Sequence, residues 1–235
     1  MLELVLTVLM LFPAGKQPIA APVATDAVQI GVEKGRQEDI AKRAIERVLS
    51  FVLETQTKVG AVRFDRENQL MELRDVRVAN PRGFKEENAV TADMVRVKAE
   101  LKGLFSKDPV IHLIEVKGPN VNSESALGKG SNLQRLMKSA RRFSDSKLLT
   151  KLPQKQWRIE KGVLQGAVVN QSTDFPKRQT STKTLEDIEM TFPGADGKGM
   201  RADEAVVQFL ARLMRELKVV DEETPVETLI DLLKK

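Results

Sequence analysis

The chain has 235 residues, 30% of them charged and 41% apolar or aromatic, and carries a net charge of +5. This balance excludes a disordered tail, a collagen-like fibre and a polytopic membrane protein, and the length suffices for one large domain or two small ones. One Trp and no Tyr argue against stacking platforms for single-stranded nucleic acid or sugar, while zero Cys and a single His remove thiolate metal sites, Cys nucleophiles and multi-His cages.

Residues 2–12 read LELVLTVLMLF, nine of eleven apolar, followed by Pro13-Ala14-Gly15 and the small-residue stretch up to Ala24. The shape is that of a secretory signal or degenerate membrane anchor within 1–25, although Glu3 replaces the usual base and the run is short for a span. A start that has lost upstream residues and a buried apolar segment are the alternatives. Residues 26–35, with Gly31 and Gly35, read as a linker. From Arg36 to Gln56, Ile40, Ala44, Ile45, Val48, Leu49, Val52 and Leu53 recur at three and four, an amphipathic helix that needs a partner surface or a bilayer.

From residue 59 the period becomes two. Expected strands run Val59–Phe64, Leu70–Ala79, Val90–Leu101, Val110–Val121, Trp157–Asn170 and Asp187–Phe192. Along the second, Met71 and Leu73 share one parity and Val76 and Val78 the other, so a bulge at Arg74-Asp75 keeps all four inward. The third strand repeats the device. Ser131-Asn132-Leu133-Gln134 is a capping box opening a basic helix over 131–143. An apolar-striped helix is expected over Ala202–Leu217, and Thr224-Pro225-Val226-Glu227 opens a last one. The fold class is α+β: a twisted antiparallel sheet, curved and groove-like, over 59–200, with amphipathic helices before, within and after it, the last in 201–235. Gly118-Pro-Asn-Val121-Asn122 and Gly166-Ala-Val-Val169-Asn170 share the pattern Gly-x-x-Val-Asn, the mark of a possible repeated unit.

The segment Leu73-Arg-Asp-Val-Arg-Val-Ala-Asn80-Pro81-Arg-Gly83-Phe84, then Ala89-Val-Thr-Ala-Asp-Met-Val-Arg-Val-Lys, then Asp108-Pro-Val-Ile-His-Leu-Ile-Glu-Val-Lys-Gly118-Pro119-Asn-Val121, resembles the N-terminal region of AsmA-like proteins. The shared marks are Asn-Pro-x-Gly-Phe ending one strand and Gly-Pro-x-Val ending another, over about residues 59–122. The resemblance implies an inner-membrane-associated or periplasmic protein of the chorein-type groove class, which handles lipid in outer-membrane biogenesis. A short lipid-binding or scaffolding unit fits this length better than a conduit bridging two membranes.

A lipid groove asks for an aliphatic concave face, each buried CH₂ contributing about 0.8 kcal/mol without a directional partner. Met71, Leu73, Val76, Val78, Val95, Val97, Ile111 and Leu113 are the groove candidates. The same side chains could instead pack against the helix 202–217, and the sequence leaves the two open. Between Lys129 and Lys161 ten basic residues face two acidic ones. Lys138, Arg141, Arg142, Lys147 and Lys151 are therefore candidates for contact with an anionic membrane surface, a solvated helix face being the alternative. The expected partners are membrane phospholipid, the membrane surface and other envelope proteins; nucleic acid is disfavoured because no reading motif or aromatic set accompanies the charge. His112 stands mid-strand without a second His, and Gly128-Lys129-Gly130-Ser131 lacks the earlier Gly of a phosphate loop. No catalytic residue, metal ligand or cofactor site is assigned. A protein-protein module without lipid and a basic cytoplasmic binding protein are the alternative functions.

Overall fold

A computed structural model describes residues 26–99, 109–126, 130–144, 158–173, 178–193, 197 and 199–201. The expected N-terminal signal and the two C-terminal helices lie outside them. In chain order the elements are α1 (Asp26–Leu53), β1 (Thr57–Lys58), β2 (Ala61–Asp65), β3 (Leu70–Ala79), β4 (Asn88–Ala99), β5 (Val110–Lys117), β6 (Asn120–Ala126), β7 (Gly130–Ser131), α2 (Asn132–Ser144), β8 (Arg158–Ile159), β9 (Lys161–Gln165), β10 (Val168–Thr173), β11 (Gln179–Thr184), β12 (Ile188–Thr191) and β13 (Met200–Arg201). All these strands join one open sheet.

The sheet is mixed, which corrects the antiparallel expectation. β2, β3, β4 and β5 form an antiparallel meander, but β5 pairs in parallel with β8 and β9, and β6 pairs in parallel with β10. The reason is connectivity: the chain leaves β6, passes through α2 and residues 145–157, and returns in its original direction, as a parallel pair requires. The parallel register is constant. Glu115 lies beside Val163, Val116 beside Leu164, Val121 beside Val169 and Asn122 beside Asn170. The two Gly-x-x-Val-Asn copies are thus stacked residue on residue. Asn170 Nδ2 donates to Asn120 Oδ1 at 2.8 Å and Asn122 Oδ1 at 2.9 Å, an amide ladder across the stack.

Each stacked unit turns at its glycine, Gly118 (φ 57°) and Gly166 (φ 63°). The turn extends across the neighbouring strands. Gly60 donates its N–H to the Arg74 carbonyl, Asp75 takes φ 51°, and Asp93 of β4 stands against Gly118. Arg74 pairs with Met94 and Val76 with Ala92, so no residue is inserted in β3 relative to β4. The bulges expected in these two strands are instead a line of turns at which adjacent strands change parity together. Met71, Leu73, Val76, Val78, Ala92, Val95 and Val97 are consequently all buried.

α1 lies over this buried side. Ala41, Ile45, Leu49, Val52 and Leu53 are 0–6% exposed and belong to the same core cluster as the strand residues. Its polar side chains at every fourth position also serve the sheet edge: Glu38 accepts from Phe64 N (3.4 Å), Lys42 donates to the Gly60 carbonyl (3.0 Å), Glu46 accepts from Val59 N (2.9 Å) and Ser50 Oγ accepts from Thr57 N (2.8 Å). Covering an edge in this way removes a template for strand addition. The helix starts ten residues before the expected Arg36. Once the 36–53 segment is helical, extension toward its N-terminus needs no new nucleus, and this offsets the cost of about 1 kcal/mol for each of Gly31 and Gly35. Glu54, with φ 52°, ends it in the left-handed conformation common after helix C-termini. At α2, Gln134 Oε1 accepts from Ser131 N at 3.2 Å, the reciprocal bond of the expected capping box.

Ala at Gly166 meets open space and carries only the left-handed backbone cost, about 1–2 kcal/mol; at Gly118 the new Cβ would also collide with the Asp93 carboxylate. Urea unfolding should therefore show Gly118→Ala losing more stability than Gly166→Ala, with Asp93→Ala added to Gly118→Ala recovering part of the difference. Equal losses at the two glycines would contradict the packing of this corner.

Candidate functional site

The parity change directs aliphatic side chains from both sides of the line of turns to one side of the sheet, and these form two clusters. The first holds seven of the eight groove candidates, Met71, Leu73, Val76, Val78, Val95, Val97 and Ile111, each 6% exposed or less and packed in one cluster with α1. Leu113 departs from them. Lys98 pairs with Leu113 but Ala99 with Ile111, so β5 carries one extra residue at His112. That bulge leaves Leu113 only part-buried and outside both buried clusters. His112 Nδ1 lies 2.8 Å from Glu160 Oε2.

The second cluster is Leu164, Ala167, Val169, Leu185 and Ile188, with Val116, Val121 and Met190 packed against it. No described side chain of α1 belongs to it. Its members come from β5, β6, β9, β10 and β12 and from the turns beside Gly166, where Gly166 donates its N–H to Asp187 Oδ1 at 2.9 Å. The stacked repeats build much of this surface, and its sequence signals were the Gly-x-x-Val-Asn echo and the expected strands Trp157–Asn170 and Asp187–Phe192.

The Asn-Pro-x-Gly-Phe stretch is a pinned loop. Glu124, 6% exposed, accepts from Asn80 Nδ2 (2.7 Å), Lys85 N (2.9 Å) and Glu86 N (2.8 Å). Fully buried Asn132 donates to Asn80 Oδ1 and the Asn122 carbonyl and accepts from Glu124 N, so one amide ties the loop, β6 and the start of α2 together. The Arg135 guanidinium lies 5.3 Å from the Phe84 ring centroid. Buried polar groups satisfied this fully specify one arrangement.

Of the basic candidates, Lys138 is exposed on α2, whereas Arg142 donates to Glu54 Oε2 at 2.7 Å and so ties α2 to the end of α1. The Arg141 side chain, Lys147 and Lys151 lie outside the described residues. Arg158 donates to the Gly199 carbonyl and Lys161 pairs with Glu189, so part of the local excess of charge is used inside the fold.

The opposite side of the meander carries a charge ladder. Glu72 pairs with Arg74 and Arg96, and Arg96 reaches Glu115, which also meets Lys117. An open cleft of about 960 Å³ beside it is lined by four arginines and four carboxylates, including Glu38, Arg63, Glu72 and Arg96. Glu72 of this lining is paired with Arg74 and Arg96. Among the described residues no group of three or more His, Asp or Glu could hold a metal ion, and no helix is long and apolar enough to cross a membrane.

Burial works against the charge on Glu72, but the hydrogen bonds and charges of Arg74 and Arg96 outweigh it and hold the carboxyl below the ordinary glutamate range. A folded-state value below the unfolded one gives stability that is complete above the unfolded value of about 4.3 and is lost as pH falls through the lower folded value. Stability measured in urea should thus fall more steeply below about pH 4.3 in the unmodified protein than in Glu72→Gln. Parallel pH profiles would show that the ladder contributes nothing.

No protein-family model matches the chain, and no curated protein matches it.

Proposed function

We propose that the chain is a non-enzymatic cell-envelope protein of AsmA-like type, inner-membrane-associated or periplasmic, that binds lipid on the apolar side of its folded sheet and helps to transfer it in outer-membrane biogenesis. The observation that carries this reading is the shared parity change, which puts aliphatic side chains on one side across both arms of the sheet. A surface of that kind suits an acyl chain, whose every CH₂ contributes about 0.8 kcal/mol wherever it is buried. The resemblance supports it from a second direction: its Asn-Pro-x-Gly-Phe and Gly-Pro-x-Val marks are the pinned loop and the Gly118 corner. The acyl chain would meet the second cluster at its part-buried members Val116, Val121 and Met190, its other members being buried and the first cluster being packed against α1.

That same occupation favours a second reading, a scaffold for other envelope proteins without lipid cargo. Mass spectrometry of an organic extract from detergent-free protein separates the two. Lipid binding predicts about one phospholipid or more per chain, reduced in Val121→Asp, a part-buried position, with the thermal transition retained. A clean extract from folded protein would overturn the lipid reading and leave the scaffold.

A further inference from the structure

The two edges of the sheet are finished differently. Along β1 and β2, side chains of α1 hold the N–H groups of Thr57, Val59 and Phe64, which closes that edge to a further strand. At the other end of the sheet order stands β11, whose six residues are all exposed and which pairs, among the described residues, with β10 alone. Its ladder with β10 runs without a bulge, it holds no Pro, and Lys183 is its one charge, so the devices that usually blunt an edge are nearly absent. The Leu185 N–H donates to the Ala167 carbonyl at 2.8 Å, in register with the β10–β11 pairs. Hydrogen-bonded pairs alternate along an antiparallel ladder, so Gln179, Ser181 and Lys183 bond toward β10, while Thr180, Thr182 and Thr184 turn N–H and C=O to the free side. A line of polar side chains holds Thr182 at that edge: Asn122 Nδ2 donates to the Asn88 carbonyl (2.8 Å), Asn170 Nδ2 to Asn122 Oδ1 (2.9 Å) and Thr182 Oγ1 to Asn170 Oδ1 (2.8 Å).

We infer that this edge pairs with β11 of a second copy of the chain, antiparallel about a two-fold axis through Thr182. A head-to-tail addition would need the edge that α1 covers, whereas β11 meeting β11 uses the open edge of both copies. The strand is complementary to itself in one register. With Thr182 opposite Thr182, Thr180 stands opposite Thr184, and each of these threonine pairs exchanges both of its N–H···O bonds. Lys183 then faces Ser181, and just past the strand Arg178 faces Glu186 of the second copy. Moving the axis to Lys183 would set the two lysines against each other, and moving it to Ser181 would set Arg178 against Thr184 and lose the pair of opposite charges. Within the described residues Glu186 has no ion pair, and the partner of Arg178 is Glu86, at 2.8 Å. The sheet becomes continuous across the two copies, with their apolar sides facing the same way, whether or not that side carries lipid.

Analytical ultracentrifugation of the full chain should show monomer passing to dimer as concentration is raised. Thr182→Pro should weaken the association about tenfold or more with the thermal transition kept, because the N–H it removes faces away from β10. The chain has no native Cys, so a single introduced cysteine can bridge only two copies. Under mild oxidation Thr182→Cys, whose two Cα atoms would stand about 5.5 Å apart across the axis, should give covalent dimer much faster than Thr180→Cys, which in this register faces Thr184. A chain that stays monomeric at every concentration would overturn the inference and leave the edge to a strand of another protein. Equal cross-linking of the two single-cysteine variants would overturn it as well, as would a dimer that Thr182→Pro leaves undiminished.

Discussion

A change of side-chain parity at one level across the sheet is the constraint on which the rest of this structure depends, made with a left-handed step at Asp75, Gly118 and Gly166 and without one in β4. A strand that kept its strict alternation through this level would turn the aliphatic residues of one arm to water. Asp75, Gly118 and Gly166, each with φ between 51° and 63°, reset that alternation at one level. Each step costs about 1–2 kcal/mol for a residue with a side chain, which explains glycine at two of the three. Asp is among the few other residues that tolerate the conformation. The cost is offset many times over by burial of the branched side chains on both arms, each contributing about 1.5–3 kcal/mol.

From that constraint the two sides of the sheet acquire different roles. The inner side is aliphatic and divided by α1 into a sealed half and a half built by the stacked repeats. The outer side of the meander is a ladder of alternating charge in which Glu72, Arg96 and Glu115 follow the strand register. α1 completes the arrangement by filling the inner side with one face and satisfying edge N–H groups of β1 and β2 with another. The buried knot of Asn80, Glu124, Asn132 and Asn122 then fixes where α2 begins, and the Arg142–Glu54 pair joins α2 to the end of α1.

How much of this was legible in the sequence follows from which signals are local. β3 was legible to the residue because its aliphatic positions alternate strongly, and the changes of parity at Arg74-Asp75 and within Val90–Leu101 marked the turn in β3 and β4, although not that the two lie side by side. The Gly-x-x-Val-Asn echo pointed to a repeated unit but not to its parallel stacking, since alternation is the same in either strand direction. β11, Gln179-Thr-Ser-Thr-Lys-Thr184, was missed because it has no aliphatic residue to alternate. Leu113 was misplaced because an extra residue at His112 leaves no mark in the pattern. Arg142 looked free because its partner, Glu54, is 88 residues away in sequence. The groove candidates other than Leu113 are buried, but what covers them is a tertiary fact that periodicity does not contain.

The in-register stacking of the two corner units is the claim most directly open to measurement, because the chain has no native Cys to interfere. Ser123 and Gln171 are register partners in the parallel pair of β6 and β10, so their Cα atoms stand one strand spacing apart with side chains on the same face. Under mild oxidation, Ser123→Cys/Gln171→Cys should close an intrachain disulfide in nearly every molecule, while Ser123→Cys/Ser172→Cys, one residue out of register and on the opposite face, should stay reduced. Closure of the second pair in preference to the first would contradict the stack and, with it, the line of turns that orders the sheet.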